Sequence, residues 1–219
     1  MAEIVRECAP LLKSEKFTKR RFAFNRTLPD GLVHIVHFWM APFEPSAWTE
    51  VPGLRERRYG SFRLDFGVWA PEMARNGSPR SSWINEYNCQ LRRTIGQLLY
   101  PESGGDFWWS LFADGIAAEA RRQIIEYGLP WLSGFASKDS ILEAFESDGP
   151  LGIGMHPAAA LDIAELYSGL DRGDDARRIL EAYVRGLTAG GHADYVARYG
   201  VERGQGDLVP LIPSGGKDT

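Results

Sequence analysis

The chain has 219 residues, 44% of them hydrophobic, and a formal net charge of −4. That is enough apolar material for a substantial core, which excludes a disordered segment, and the mild acidity argues against a nucleic-acid binder that works through overall charge. Two cysteines, Cys8 and Cys89, are too few for a disulfide-rich secreted scaffold and read as small buried hydrophobes.

The N-terminus lacks a basic stretch followed by an apolar one, and no apolar run approaches the roughly 20 residues a membrane span needs. The expectation is a cytoplasmic protein without a membrane segment. Ile4, Cys8, Leu11 and Leu12 recur at helical spacing over residues 3–16, where Pro10 predicts a division into two pieces. Residues 17–26 read as a first strand. Leu28-Pro29-Asp30-Gly31 is a turn, with Pro fixing one torsion and Gly tolerating positive φ, and residues 32–41 form the second strand of a hairpin. Residues 42–60 are irregular and carry Arg55, Arg57 and Arg58. The clearest strand spans 61–69: Phe62, Leu64, Phe66 and Val68 fall on one face, and Arg63, Asp65, Gly67 and Trp69 on the other.

A loop over 70–82 precedes a segment, 83–93, that begins extended and turns helical near 91–99. Residues 114–127 form a helix for which Gly128 is the predicted C-terminal cap. Ser137, or alternatively Asp139, caps a helix over 138–145. Beyond residue 150 aromatic residues thin out, and helices are predicted over 158–167, 174–187 and 192–199, the first two as a hairpin, with a frayed end at 214–219. The fold class is α+β: an antiparallel sheet packed with helices over residues 1–150, then a helical extension over 151–219 docked on that domain.

Several segments, taken in order, carry a resemblance. They are Phe17-Thr-Lys-Arg-Arg-Phe-Ala-Phe-Asn-Arg26, Val33 to Trp39, Phe62 to Trp69, Cys89-Gln-Leu-Arg-Arg-Thr-Ile-Gly96 and Asp106-Phe-Trp-Trp109. Together they resemble the DUF4304 family of bacterial domains over about residues 1–145. Asp65 stands where that family usually has Asn, and Gln90 where it usually has His. The resemblance implies a fold and no activity.

No metal or cofactor is expected. The four histidines are His34, His37, His156 and His192; on a strand the first two point to opposite faces, and no paired-cysteine or His-Glu-x-x-His pattern accompanies them. Gly152-Ile153-Gly154 is only a fragment of a dinucleotide fingerprint. The candidate polar pocket is Arg63, Asp65, Arg92 and Arg93, in which a carboxylate beside arginines makes an anion site, a catalytic pair or a structural ion pair. The candidate interaction surface is Trp69, Trp108 and Trp109 with Arg55, Arg57 and Arg58. Lys16, Lys19, Arg20 and Arg21 form a further basic cluster, and Phe22, Phe24, Trp39 and Trp69 are candidate stacking rings, but most of these rings are expected in the core, so nucleic-acid binding is the weaker reading. With no nucleophile, metal or cofactor pattern, the leading expectation is a non-enzymatic binding or protein-interaction protein, of an immunity or inhibitor kind. The competing one is a metal-independent hydrolase or nuclease using Asp65 with its arginines.

Overall fold

The computed structural model describes residues 1–41, 58–74, 83–102, 105, 107–156, 158–187, 191–204 and 206–211. Arg55, Arg57, Asp106 and the tail at 214–219 lie outside the described residues. The fold is α+β. Helix α1 (Ala2–Ser14) leads into β1 (Thr18–Arg20), β2 (Ala23–Thr27), β3 (Val33–Met40) and β4 (Ser61–Trp69). Then come β5 (Leu91–Thr94), α2 (Ile95–Leu99), β6 (Trp109–Ser110), α3 (Ile116–Gln123), α4 (Leu129–Ser133) and α5 (Lys138–Gly152). Among the described residues, six strands form one sheet in the order β1-β2-β3-β4-β5, every pair antiparallel, with β6 also pairing with β4.

Two expectations at the N-terminal end give way. The first predicted strand is two strands: Arg20 pairs with Ala23, and Arg21, at φ 56°, turns the chain between them. The predicted break at Pro10 does not occur either. The buried stripe Ile4, Val5, Cys8, Ala9 and Leu12 straddles the proline, and burying it outweighs the roughly 3 kcal/mol that an interior proline costs.

The register sorts every side chain. Phe24, Val36, Phe38, Phe62, Leu64, Phe66 and Val68 share one face, the apolar face, and all are buried. Helices pack there. The chain from α3 to α4 passes through a single π turn, Ile124–Gly128, and Gly128 comes to rest on the ring of Phe66. Gly128 is therefore not a C-terminal cap: its backbone is right-handed helical, and its missing Cβ makes room for the ring. His34, on this face and fully buried, bonds Phe135 through Nε2. Ser137 caps α5 by accepting from the Ser140 amide, so Asp139 is not the cap.

The opposite face is polar. It carries Ala23 and Asn25 from β2, Ile35, His37 and Trp39 from β3, Arg63, Asp65 and Gly67 from β4, and Arg92 and Thr94 from β5. The segment 83–90 crosses it. Asn25 Nδ2 donates to the Ile84 carbonyl at 2.9 Å, and Cys89 lies so close over Gly67 that a Cβ there would meet Sγ at 2.6 Å. The sequence placed an extended run in 83–90; the chain instead makes a 3₁₀ turn at Glu86–Asn88, whose capping box between Asn85 and Asn88 stabilises it.

The chain divides into two compact units: Met1–Pro71 with Gly77–Met155, and Glu72–Asn76 with His156–Thr219. The second contains α6 (Ala160–Gly169), α7 (Gly173–Arg185) and α8 (Gly191–Glu202), with α6 and α7 packed as the predicted hairpin. Within it Glu165 accepts from the Tyr199 hydroxyl at 2.8 Å and pairs with Arg203 at 2.6 Å. Among the described residues, no helix is long and apolar enough to cross a membrane.

Candidate functional site

The polar face brings together residues that are far apart in the chain. His37 on β3 pairs directly opposite Asp65 on β4. Directly opposed residues share a face, so their side chains meet. The 83–90 crossing adds Glu86 from above. Ligand-type atoms of His37, Asp65 and Glu86 all lie within 4.8 Å of one another. Asp65 and Glu86 are 2% and 7% exposed, whereas carboxylates almost never bury without partners.

The partners are arginines. Arg63 Nε lies 2.8 Å from Asp65 Oδ1, off the line of an ideal hydrogen bond, and Arg92 Nε donates to Glu86 Oε1. Asp65 Oδ2 and His37 Nδ1 are buried without a hydrogen-bond partner, and Oδ1 has Arg63 as its ion-pair partner. Burial pushes the Asp65 carboxyl up to about 6, with Arg63 pulling the other way and Glu86 reinforcing the rise. Burial likewise lowers the His37 imidazole, against the pull of Glu86.

Of the four residues expected to form the pocket, Arg63, Asp65 and Arg92 share this face. Arg93 does not: it pairs opposite Phe66, on the apolar face, and its guanidinium donates to the carbonyls of Leu151 and Gly152, 2.8 Å away in the latter case. A period-two strand cannot send adjacent residues to one side. Arg93 is a tie between β5 and the end of α5.

The tryptophans also sort differently from expectation. Trp69 and Trp109 are each 8% exposed and so offer little surface to a partner; Trp109 packs on Phe62 at 5.4 Å between ring centroids. Trp108 is half-buried and meets Trp39 edge-on at 5.2 Å. The Arg63 guanidinium lies 5.1 Å from both ring centroids, and Arg58 lies 4.7 Å from that of Trp108. Trp39, which the sequence offered only as a base-stacking ring and not as part of the interaction surface, is 38% exposed. Phe24 and Trp69, considered for base stacking, are buried.

Beside this array is an open cleft of about 420 Å³, lined by Arg20, Arg21, Phe22, Ala23, His37, Trp83 and Asn85. Arg20 lies over the Trp83 ring at 6.0 Å. His37 thus joins the cleft to the buried carboxylates. The other strand histidine is occupied. Arg26 can only donate to His34 Nδ1, at 3.0 Å, so Nε2 carries the proton and donates to the Phe135 carbonyl at 2.8 Å. With burial lowering its pKa to about 4, His34 is a neutral structural residue. The thiols of Cys8 and Cys89 are buried and raised by desolvation, which suits packing and not nucleophilic attack.

His37 and Glu86 were the missed residues. His37 was visible as a strand residue sharing parity with Trp39, but its partner depended on the register with Asp65. Glu86 carried no signal, because a 3₁₀ turn crossing a sheet has no sequence period. No family model, no curated protein and no solved structure matches this chain.

Proposed function

We propose that the chain is a binding protein, of an inhibitor or immunity kind, which engages an acidic protein partner through the polar face of its sheet. The observation that supports this reading is the Trp39–Arg63–Trp108–Arg58 array, with Trp39 exposed and Arg63 held between two rings and the Asp65 carboxylate. Trp and Arg dominate binding energy at interfaces, and side chains already fixed lose little entropy on association. The adjoining cleft extends the same chemistry with Arg20, Arg21 and Trp83. An acidic partner follows from that cationic lining.

The test is calorimetric titration of an identified partner, captured from the native cell, into the wild type and into folded Trp39→Ala and Trp108→Ala variants. Each variant is expected to lose about 2 kcal/mol, roughly 30-fold in Kd, and affinity is expected to fall with salt. Affinity unchanged in both variants contradicts the proposal.

One observation favours a second reading, an acid–base hydrolase or nuclease: a carboxyl pushed up to about 6 beside an imidazole titrates in the range that general acid–base catalysis uses. It ranks second because the cleft is lined by His37 and not by Asp65. Turnover of a phosphodiester or ester that disappears in a folded Asp65→Asn variant would promote it.

A further inference from the structure

We propose that His37, Asp65 and Glu86 form a site for one divalent transition-metal ion, approached through the cleft between Arg20, Arg21, Trp83 and Asn85. The three residues come from β3, β4 and the 83–90 crossing, and their donor atoms lie within 4.8 Å of one another. Around a tetrahedral ion with bonds of about 2.1 Å, donors sit roughly 3.4 Å apart. Small side-chain rotations close that difference.

Two buried atoms lack a partner. Asp65 Oδ2 and His37 Nδ1 are enclosed without a hydrogen-bond partner, while Oδ1 already faces the Arg63 guanidinium at 2.8 Å. Asp65, at 2% exposure, is fixed in the sheet and faces the other two residues. A bound ion would satisfy these atoms together and offset the repulsion between two nearby carboxylates.

The arginines leave room for it. Arg63 approaches Asp65 off-axis, with its guanidinium beside both tryptophan rings, and Arg92 approaches Glu86 on Oε1. Arg92 is half-exposed, at 47% for its side chain, and can swing toward solvent as the ion enters. A carboxylate can accept from a guanidinium on one oxygen and ligate a metal with the other, the arrangement by which outer groups orient metal ligands.

The donor set selects the ion. One imidazole nitrogen with two carboxylates suits Zn²⁺, Mn²⁺, Fe²⁺ or Co²⁺, and the imidazole disfavours Mg²⁺ and Ca²⁺. Cys89 is not a further ligand: its thiol donates to the Asn85 carbonyl, and burial holds it protonated.

The experiment uses the full chain, treated with chelator and dialysed, and titrated calorimetrically with Zn²⁺, Mn²⁺ and Mg²⁺. Zn²⁺ or Mn²⁺ is expected to bind at one ion per chain, with Mg²⁺ weaker. His37→Ala and Glu86→Gln are each expected to weaken binding by at least about tenfold. His156→Ala and His192→Ala are expected to leave it unchanged. No binding, or binding that survives His37→Ala and Glu86→Gln, overturns the proposal. Should those variants fail to fold, Mn²⁺ added to the wild type is expected to broaden the His37 ring resonances selectively. Broadening confined to His156 or His192 would overturn the proposal equally.

Discussion

Replacing Gly128 with alanine sets two known effects against each other. In an ordinary helix interior the change stabilises by about 1 kcal/mol, because glycine is a poor helix former. Here the added Cβ would sit 2.2 Å from Phe66 Cε1, 2.4 Å from Cζ and 3.0 Å from Cδ1. Phe66 is fully buried on β4, with its backbone paired to Val36 on one side and Arg93 on the other, so the ring cannot retreat with its strand. Overpacking of this kind costs about 1–3 kcal/mol, and contacts this short belong at the upper end. The net expectation is destabilisation by about 1–2 kcal/mol. Urea unfolding followed by tryptophan fluorescence reads it as a lower midpoint, by roughly 0.5 M for a slope of about 2–3 kcal/mol/M. Gly173→Ala is the control: nothing lies within 4 Å of its Cβ, and its effect is expected within about 0.5 kcal/mol. A raised midpoint for Gly128→Ala would refute the packing of the π turn on the sheet.

Two further outcomes follow from buried titratable groups. The folded-state pKa of Asp65 is raised from 3.8 to about 6, so its contribution is most favourable below pH 3.8 and is lost as pH rises through 6. The stability of Asp65→Asn relative to wild type is therefore expected to increase between pH 4 and 6 by up to about 3 kcal/mol and then level off; urea midpoints at four pH values test this, and a flat difference contradicts it. His34 has the opposite sign: its pKa is depressed to about 4, so its stabilisation is present above pH 6.5 and fades as pH falls toward 4. His34→Leu is expected to cost about 2–4 kcal/mol at pH 7, by leaving the Phe135 carbonyl unpaired and removing one partner of Arg26, and less near pH 4. A neutral effect at pH 7 in thermal unfolding would contradict that role.

The sheet was legible because period-two alternation is local: Phe62, Leu64, Phe66 and Val68 declare a buried face without any knowledge of neighbours. That same parity placed Arg63 with Asp65, and it would have excluded Arg93 had β5 been recognised as a strand rather than the start of a helix. The hairpin of α6 and α7 was legible from its break at Gly169–Gly173. Gly128 misled because a glycine after a helical run usually ends it, whereas here a ring on another element decides its use. The cluster needed three-dimensional information. His37 meets Asp65 only through the β3–β4 register, and Glu86 only because Asn25 and Cys89 hold the 83–90 crossing against the sheet. Whether a tryptophan is buried or exposed depends on what covers each face, so Trp39 and Trp109 could not be told apart by composition.

The site depends on Asp65 being a buried carboxylate set against Arg63, His37 and Glu86. The most direct measurement is the ¹³C chemical shift of the Asp65 carboxyl as a function of pH in the chelator-treated full chain. A midpoint of about 6 is expected, well above the ordinary 3.8. A midpoint near the ordinary value would show the carboxylate to be solvated, and would contradict the enclosed cluster on the polar face of the sheet.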